Sequence, residues 1–309
     1  MKFGTASLVG IEPMPFGELV QRSSALGIES LEVNVGPGFA RIGGADFPGH
    51  LDLDAILRDG PGAVQETVGR YGIVISALAP MLNLLTPDAT LRETRIAAMR
   101  QAIDAAAVLG VGTVVTYGGS AFGMHFWGLP GVGDNHRSNQ VGENLRQFAA
   151  VYAPLAAYAE DKGIRIGFET APRGGGEGNI AHAPALWDRL FDAVPSPALG
   201  LSFDPSHLIW LHIPNIPDIV RRYGSRIYHF DGKDTEILPG KLAEQGIFGN
   251  SWWRYRLPGC GDLDWRGILS ALRDTGYDGA VNIENEDPLA LGLEGAAWSA
   301  RHLRGLLPG

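Results

Sequence analysis

The sequence predicts a (β/α)8 barrel, a TIM barrel, that forms a single domain over residues 1–309. One pattern recurs along the chain: a helical stretch, then a glycine, then a short apolar run rich in Val and Ile. A glycine just past a helix end allows the left-handed backbone that stops the helix, and a buried run after it is typical of a parallel strand. The glycines at these joints are Gly27, Gly72, Gly110, Gly163, Gly224 and Gly276.

Two further apolar runs bring the predicted strands to eight. They are the opening run Lys2–Leu8 and the run Ala198–Asp204. Successive strand starts lie roughly 27 to 53 residues apart, which leaves room for one helix in each interval. No glycine-rich dinucleotide fingerprint follows the first strand, so eight such units favour a closed barrel over an open doubly wound sheet.

The clearest predicted helix covers Leu91–Leu109. Ile96, Met99 and Ile103 fall on one stripe of this segment, as expected of a helix that packs one face against a core. Asp88 stands just before it as a start signal.

Loop lengths predict which end of the barrel carries the function. Connections from helix to strand are short, whereas several connections that leave a strand are long. In a (β/α)8 barrel the loops that follow strands lie at the C-terminal face, where enzymes of this fold place their active sites. The long loops are Gly36–His50, Gly118–Gln140, Thr170–Ile180 and Gly232–Asp262.

Charge and composition favour a small-molecule partner. The chain has 25 Lys and Arg against 34 Asp and Glu, a net charge of −9, without a basic run. This balance disfavours binding to nucleic acid or to an anionic membrane surface. A single cysteine, Cys260, fits a reducing compartment, and no window approaches the ~20 apolar residues of a membrane span. We therefore expect a cytoplasmic protein.

Acidic and histidine side chains follow the last four predicted strands. Carboxylates at the ends of neighbouring strands meet in one mouth, and burying several negative charges together requires a cation. Oxygen ligands favour Mn²⁺ or Mg²⁺, and Co²⁺ or Zn²⁺ are possible if an imidazole joins them. These strand-end residues are Glu169, Asp204, His207, His229, Asp231, Lys233 and Glu284.

Each of these residues also has a structural interpretation. A lone Glu at a strand end is often an ion-pair partner or a helix cap. Asp204 can form a turn with Pro205, and His207 can be a satisfied histidine at a helix start. Four acidic strand ends in succession favour the metal site.

The order of these signatures carries a family resemblance. The segments FET, FDPSHL, HxDxKDTEI, WWRYRLPGCGDLDW and IENED resemble the xylose-isomerase-like barrel superfamily, which includes sugar phosphate isomerases and epimerases and a metal-dependent endonuclease branch. The resemblance spans most of the chain and is strongest over 169–287.

The resemblance implies a metal site with one substitution. Glu169, Asp204 and Glu284 match three of the four family ligands. The family pattern on strand seven is commonly His-x-His-x-Lys-Asp, and its second histidine is Asp231 here. We predict Asp231 as the fourth ligand, with His229 as the alternative, and Mn²⁺ as the preferred ion.

The resemblance also assigns catalytic and substrate-binding roles. Glu169 and Glu284 correspond to the acid/base pair that moves a carbon-bound proton, and His207 to a histidine that contacts a sugar oxygen. The Gly118–Gln140 loop either forms a lid whose Trp127 stacks on substrate or packs its own aromatic residues. The residues predicted to contact substrate are His207, His229, Lys233, Arg254, Arg256 and Trp127.

The implied activity is metal-dependent isomerisation or epimerisation of a ketose or keto-sugar through an enediolate. A lyase is the alternative: the same proton removal beside a 3-keto group expels a β-substituent, as in C-glycoside or 3-keto-glycoside deglycosidation. A non-enzymatic sugar-binding barrel has little support, because a binder does not need a charged metal cage. Many members of the superfamily are oligomers, which makes a homo-oligomer possible.

The endonuclease branch is disfavoured by four positions. Leu78 and Tyr117 stand where that branch has extra zinc-binding histidines. Trp253 and Tyr255 replace its Asp-x-His pair after strand seven.

Overall fold

Eight parallel strands form a closed barrel, as predicted. The computed structural model describes residues 1–36, 41–42, 45–47, 49–121, 140–174, 177–247, 249 and 251–307. Each strand pairs with its neighbours in chain order, and the last strand pairs with the first to close the barrel. The strands are β1 (Lys2–Ala6), β2 (Ser30–Asn34), β3 (Val74–Ala79), β4 (Thr113–Tyr117), β5 (Arg165–Glu169), β6 (Leu199–Phe203), β7 (Ile227–Gly232) and β8 (Ala280–Ile283).

Helices surround this barrel and connect its strands. In the described part of the chain they are α1 (Phe16–Ala25), α2 (Leu53–Asp59), α3 (Gly62–Tyr71), α4 (Ala89–Leu109), α5 (Gln140–Asp161), α6 (Pro184–Ala193), α7 (Pro205–Trp210), α8 (Ile216–Tyr223), α9 (Pro239–Gln245), α10 (Trp265–Asp274) and α11 (Leu293–Leu306).

The predicted start and end signals of α4 are confirmed. Asp88 Oδ1 accepts a hydrogen bond from Leu91 N at 3.0 Å, which caps the first turn. Gly110 ends the helix in the left-handed conformation, with a φ of 75°.

The prediction of a left-handed cap at Gly224 is wrong. Its φ is −52°, and α8 continues into a 3-10 turn over Gly224–Arg226. Glycine is required there by space, because a Cβ at this position would lie 2.3 Å from Thr275 Cγ2.

The strand alternation separates the core from the barrel interior. On β5, β6 and β7, the aromatic residues Phe168, Phe203 and Phe230 are buried and pack among helix residues or against each other. Trp187 on α6, for example, has its ring centroid 5.8 Å from that of Phe203. The intervening polar side chains therefore point to the opposite side, into the barrel.

Within the described parts of the long loops that follow strands, the structure has three short antiparallel strand pairs. One is a hairpin after β7, formed by Asp234–Ile237 and Trp253–Arg256, which we call the β7 hairpin. The others pair Arg41–Ile42 with Ala45–Asp46, and Arg173–Gly174 with Glu177–Gly178. Among the described residues, no helix is both long enough and apolar enough to cross a membrane.

Candidate active site

A cavity of about 510 Å³ opens at the C-terminal ends of the strands. Its lining includes Glu169, His207, Lys233 and Glu284, four of the residues predicted from sequence. All four are at least nine-tenths buried. The structure thus brings the end of β5, the start of α7, the end of β7 and the end of β8 to one place.

Asp204 joins this group through the cap of α7. Asp204 Oδ1 accepts a hydrogen bond from Ser206 N at 2.8 Å, and Pro205 occupies the first helical position. This cap fixes one carboxylate oxygen and turns the other, Oδ2, toward the site. Asp204 therefore both forms the turn with Pro205 and lies in the site, the two interpretations that the sequence left open.

His207 lies between two carboxylates. Its Nδ1 is 3.2 Å from Glu169 Oε1, and its Nε2 is 3.3 Å from Asp204 Oδ2. Burial and the positive charge of Lys233 hold the pKa of His207 well below its ordinary value. The imidazole is therefore neutral, which is the form that accepts a hydrogen bond or binds a metal.

Lys233 supplies an internal cation. Its Nζ lies 3.0 Å from Asp204 Oδ2, 2.5 Å from Glu284 Oε2 and 3.1 Å from Glu286 Oε2. Burial alone lowers a lysine pKa, but the surrounding carboxylates outweigh it and raise the pKa of Lys233 well above its ordinary value. The charged ammonium is thus the favoured form of this side chain.

Asp231 lies in a second group, together with His229 and Glu32. His229 Nδ1 is 3.4 Å from Asp231 Oδ1 and 3.8 Å from Glu32 Oε2. Ser202 Oγ donates to Asp231 Oδ2 at 2.8 Å. The role of Asp231 as fourth metal ligand stays a prediction, since its contacts are to this second group.

Two site carboxylates were not selected from the sequence. Glu32 interrupts the apolar run of β2 and is 4% exposed, so a charged residue inside a buried strand was the signal for it. Glu286 lies in the IENED segment and reaches the Lys233 ammonium. Burial, followed by the charges of Asp231 and Glu284, raises the pKa of Glu32 well above its ordinary value.

The crowded carboxyl groups hold their protons strongly. Burial is the largest cause in each case, and neighbouring negative charges add to it. The pKa of Asp204 is raised to about 6, that of Glu284 to about 8, and that of Glu169 well above its ordinary value. Such a group favours either protonation or a bound cation.

The donor atoms fit a divalent metal ion. Within the described residues, the ligand atoms of Glu169, Asp204 and His207 all lie within 4.8 Å of one another, as do those of Glu32, His229 and Asp231. Most are oxygens, the donors that Mn²⁺ and Mg²⁺ prefer. Four buried atoms in these groups form no hydrogen bond, although Asp204 Oδ2 is ion-paired with Lys233: Glu32 Oε2, Asp204 Oδ2, His207 Nδ1 and Asp231 Oδ1.

The end of β5 is held by Asn179. Its Nδ2 donates to Glu169 O at 2.8 Å and to Ala171 O at 2.7 Å. Its Oδ1 accepts from Gly119 N and Ala181 N, both at 3.2 Å. Asn179 therefore fixes the backbone that carries Glu169.

The predicted arginines lie on the β7 hairpin. Arg254 Nε donates to Glu236 Oε2 at 2.7 Å, and Arg254 also lines the cavity. Arg256 contacts Cys260 O and lies 3.5 Å from Asp287 Oδ2. Substrate contact by either arginine stays a prediction.

Trp127 falls in the segment 122–139, which lies outside the described residues. The predicted lid and its stacking contact with substrate therefore also stay predictions.

Comparison with known proteins identifies the class. Residues 20–306 match the family model described as "Xylose isomerase-like TIM barrel". The chain belongs to this family.

Individual relatives are more distant. An uncharacterized Bacillus subtilis protein, YfiH, is 28% identical over 303 residues, which cover 89% of each chain. Inosose dehydratase of Clostridium perfringens is 26% identical over 171 residues, 52% of this chain and 54% of the dehydratase. A solved D-tagatose 3-epimerase-like protein superposes with a TM-score of 0.70 at 21% identity, covering 99% of this chain and 97% of its own, a likeness that shows the fold.

Proposed function

We propose that the protein is a metal-dependent enzyme that moves a proton on the carbon beside the carbonyl of a ketose or keto-sugar. Return of the proton to the opposite face gives epimerisation, and its transfer to the neighbouring carbon gives isomerisation. The observation that carries this proposal is the buried cluster of Glu169, Asp204, His207, Lys233 and Glu284 around one cavity.

The metal would be held by carboxylates of this cluster. We propose Glu169, Asp204 and Glu284 as ligands, with Asp231 as the fourth, and Mn²⁺ as the ion. Asp204 Oδ2 and Asp231 Oδ1 are buried and accept no hydrogen bond, although each lies near a basic side chain, and this supports the choice. Such an ion polarises a carbonyl and so makes the adjacent proton more acidic.

Glu169 and Glu284 are proposed as the acid/base pair. In the metal-free protein, burial raises the pKa of Glu169 well above its ordinary value and that of Glu284 to about 8, so both carboxyl groups hold a proton more readily than an exposed one. His207 lies 3.2 Å from Glu169 Oε1 and, as a neutral imidazole, can hydrogen-bond a substrate oxygen there. Lys233, in contact with Glu284, would stabilise negative charge that develops on the substrate.

A lyase is the second candidate, favoured by the relationship to inosose dehydratase. After the same proton removal, a substituent on the β-carbon leaves instead of a proton returning. We propose that Glu284, which lies beside Lys233, protonates such a leaving group. A 3-keto-glycoside or C-glycoside would release its aglycone by this route.

Solvent isotope exchange tests the proposal. Metal-loaded protein in deuterated water should introduce deuterium beside the carbonyl of at least one ketohexose, as measured by NMR. The lyase predicts release of aglycone or water from a 3-keto substrate. Glu169→Gln and Glu284→Gln should abolish both reactions, while Glu93→Gln, on an exposed face of α4, should not. Absence of exchange and of elimination across both panels would refute the function.

A further inference from the structure

We infer that the cavity contains a second subsite, an aromatic wall that binds a planar apolar group joined to the keto-sugar. The substrate would then be a glycoside rather than a free monosaccharide. This inference rests on the proposed function, because it takes the carboxylate cluster as the position of the reacting sugar.

The aromatic wall consists of Trp210, Trp253 and Tyr255. The rings of Trp210 and Trp253 are stacked, with centroids 4.2 Å apart and planes 19° from parallel. Tyr255 meets both edge-on, at 5.6 Å from Trp210 and 5.1 Å from Trp253. All three residues line the cavity.

The wall is anchored to the helix that carries His207. Trp210 lies one turn after His207 on α7, and the centroids of the two rings are 4.6 Å apart. Trp210 Nε1 donates to Thr235 Oγ1 at 2.8 Å, which fixes the indole against the β7 hairpin. Thr235 is in turn paired with Tyr255 across that hairpin. The wall is therefore formed before a ligand arrives, which lowers the entropic cost of binding.

Lys233 joins the wall to the reacting centre. Its Nζ contacts Asp204 and Glu284, and it lies 5.7 Å from the Trp210 ring centroid and 5.9 Å from that of Tyr255, within the range of a cation–π contact. The wall therefore adjoins the carboxylates, and a sugar held there has its substituent beside the aromatic residues.

The rest of the cavity lining is both charged and apolar. Besides the carboxylates, Lys233 and Arg254, it includes the apolar residues Met81, Pro172 and Pro288. A volume of about 510 Å³ falls within the ~300–1,000 Å³ typical of pockets for drug-sized ligands. A cavity lined by both charged and apolar residues suits a ligand with one polyhydroxylated end and one apolar end.

Core packing does not account for two of the three residues of the wall. Trp253 and Tyr255 are only partly buried, although comparable aromatic residues such as Trp187 and Phe203 are fully buried. Partly exposed aromatic faces in a cavity are a binding surface for planar apolar groups and for the C–H face of a sugar ring.

Binding of unreactive glycosides tests the subsite. Isothermal titration of the Mn²⁺-loaded protein would compare methyl β-D-glucopyranoside, phenyl β-D-glucopyranoside and cellobiose. We expect the phenyl glycoside to bind about tenfold more tightly than the methyl glycoside, because the wall covers its ring. Cellobiose binding as tightly as the phenyl glycoside would instead identify a second sugar ring as the occupant of the wall.

Substitutions of Trp253 test whether the aromatic wall causes the preference for the phenyl glycoside over the methyl glycoside. Trp253→Ala should reduce the phenyl-over-methyl ratio to within about twofold, and Trp253→Phe should retain most of it. Trp298→Ala removes a tryptophan that is 41% exposed on α11 and should leave the ratio unchanged. Equal affinity for all three ligands in the wild type, or a ratio that survives Trp253→Ala, would overturn the inference.

These results are independent of the test of the reaction. Deuterium exchange into a ketose by the wild-type protein, without any glycoside preference, would remove the subsite and leave the function in place. A glycoside preference accompanied by neither exchange nor elimination would remove the function instead.

Discussion

The ammonium of Lys233 lies 3.0 Å from Asp204 Oδ2, at the point where the strand-end carboxylates converge. The protein thus supplies one positive charge of its own to a group of buried acids. A metal ion bound to the same carboxylates would share their charge with this lysine. Lys233 therefore affects both the stability of the metal-free protein and its affinity for metal.

Replacing Lys233 with methionine should destabilise the metal-free protein. Removing one partner of a buried ion pair leaves uncompensated charge and costs about 3–5 kcal/mol. Added Mn²⁺ should restore part of this loss, so its effect on the melting temperature should be larger in Lys233→Met than in the wild type. Differential scanning fluorimetry with EDTA and with Mn²⁺ measures both effects.

The matched control is Lys241→Met, because Lys241 is exposed on α9. It should change neither the melting temperature in EDTA nor the response to Mn²⁺. A Lys233→Met protein as stable as this control would contradict a neutralising role for the lysine.

Metal affinity should increase with pH. In the metal-free protein, burial raises the pKa of Asp204 to about 6 and that of Glu284 to about 8, so both bind protons that a metal must displace. Affinity for Mn²⁺ is therefore weakest near pH 5 and rises through the pKa of Glu284 at about 8, above which both groups have ionised. Calorimetric titration with Mn²⁺ across this range measures the change. The same affinity at both ends of the range would contradict the ligand assignment.

The stability of the metal-free protein should show the opposite trend. The folded-state pKa values of Asp204 and Glu284 both lie above those of the unfolded chain. At pH values between the unfolded-state and the folded-state pKa of each group, the folded protein therefore binds more protons than the unfolded chain. The resulting loss of stability is absent well below about pH 4, where the carboxyl groups are protonated in both states, and is complete only above the folded-state pKa of Glu284 at about 8. Urea unfolding in EDTA should show the stability that Asp204 and Glu284 each lose as the pH rises, and saturating Mn²⁺ should reduce both losses.

Asn179→Ala should destabilise the end of β5. The substitution leaves four buried backbone groups without partners, at Gly119, Glu169, Ala171 and Ala181. Each unpaired buried group costs about 1–3 kcal/mol, so we expect a loss of at least about 3 kcal/mol in the free energy of unfolding. Chemical denaturation measures it.

Gln65→Ala serves as the control for this prediction, since Gln65 is exposed on α3. Its free energy of unfolding should stay within about 0.5 kcal/mol of the wild type. If the two variants were equally stable, Asn179 would not hold the backbone of Glu169.

Asp234→Asn should loosen the loop that follows the β7 hairpin. The Asp234 carboxylate accepts five hydrogen bonds, and an amide in its place loses one of the two acceptor oxygens. Backbone hydrogen exchange in the segment 257–263 should therefore speed up, while exchange in the barrel strands stays unchanged. The donors are the backbone N–H groups of Thr235, Gly259, Gly261 and Leu263 and the indole N–H of Trp265.

Asp278→Asn is the control, because Asp278 is exposed. Mass spectrometry of deuterium uptake should find its 257–263 segment the same as in the wild type. Unchanged exchange in Asp234→Asn would show that the loop is held by other contacts.

Several parts of the site were visible in the sequence because they depend on local chain geometry. The glycine caps and apolar runs predict where each strand ends, and an acidic residue at that end must lie at the C-terminal rim. Glu169, Asp204 and Glu284 follow from this rule, and the structure places all three beside Lys233 or His207.

The structure alone decided which of these side chains meet. Glu32 and His229 are nearly two hundred residues apart in the chain, and only closure of the barrel places them together with Asp231. The aromatic wall likewise needs α7 and the β7 hairpin to pack side by side. The sequence by itself determined the barrel, its order of strands and the acidic rim, because hydrophobic periodicity and helix caps act over a few residues. The tertiary structure decided the partners of Lys233, the grouping of Asp231 and the aromatic wall, because those contacts depend on how distant elements pack.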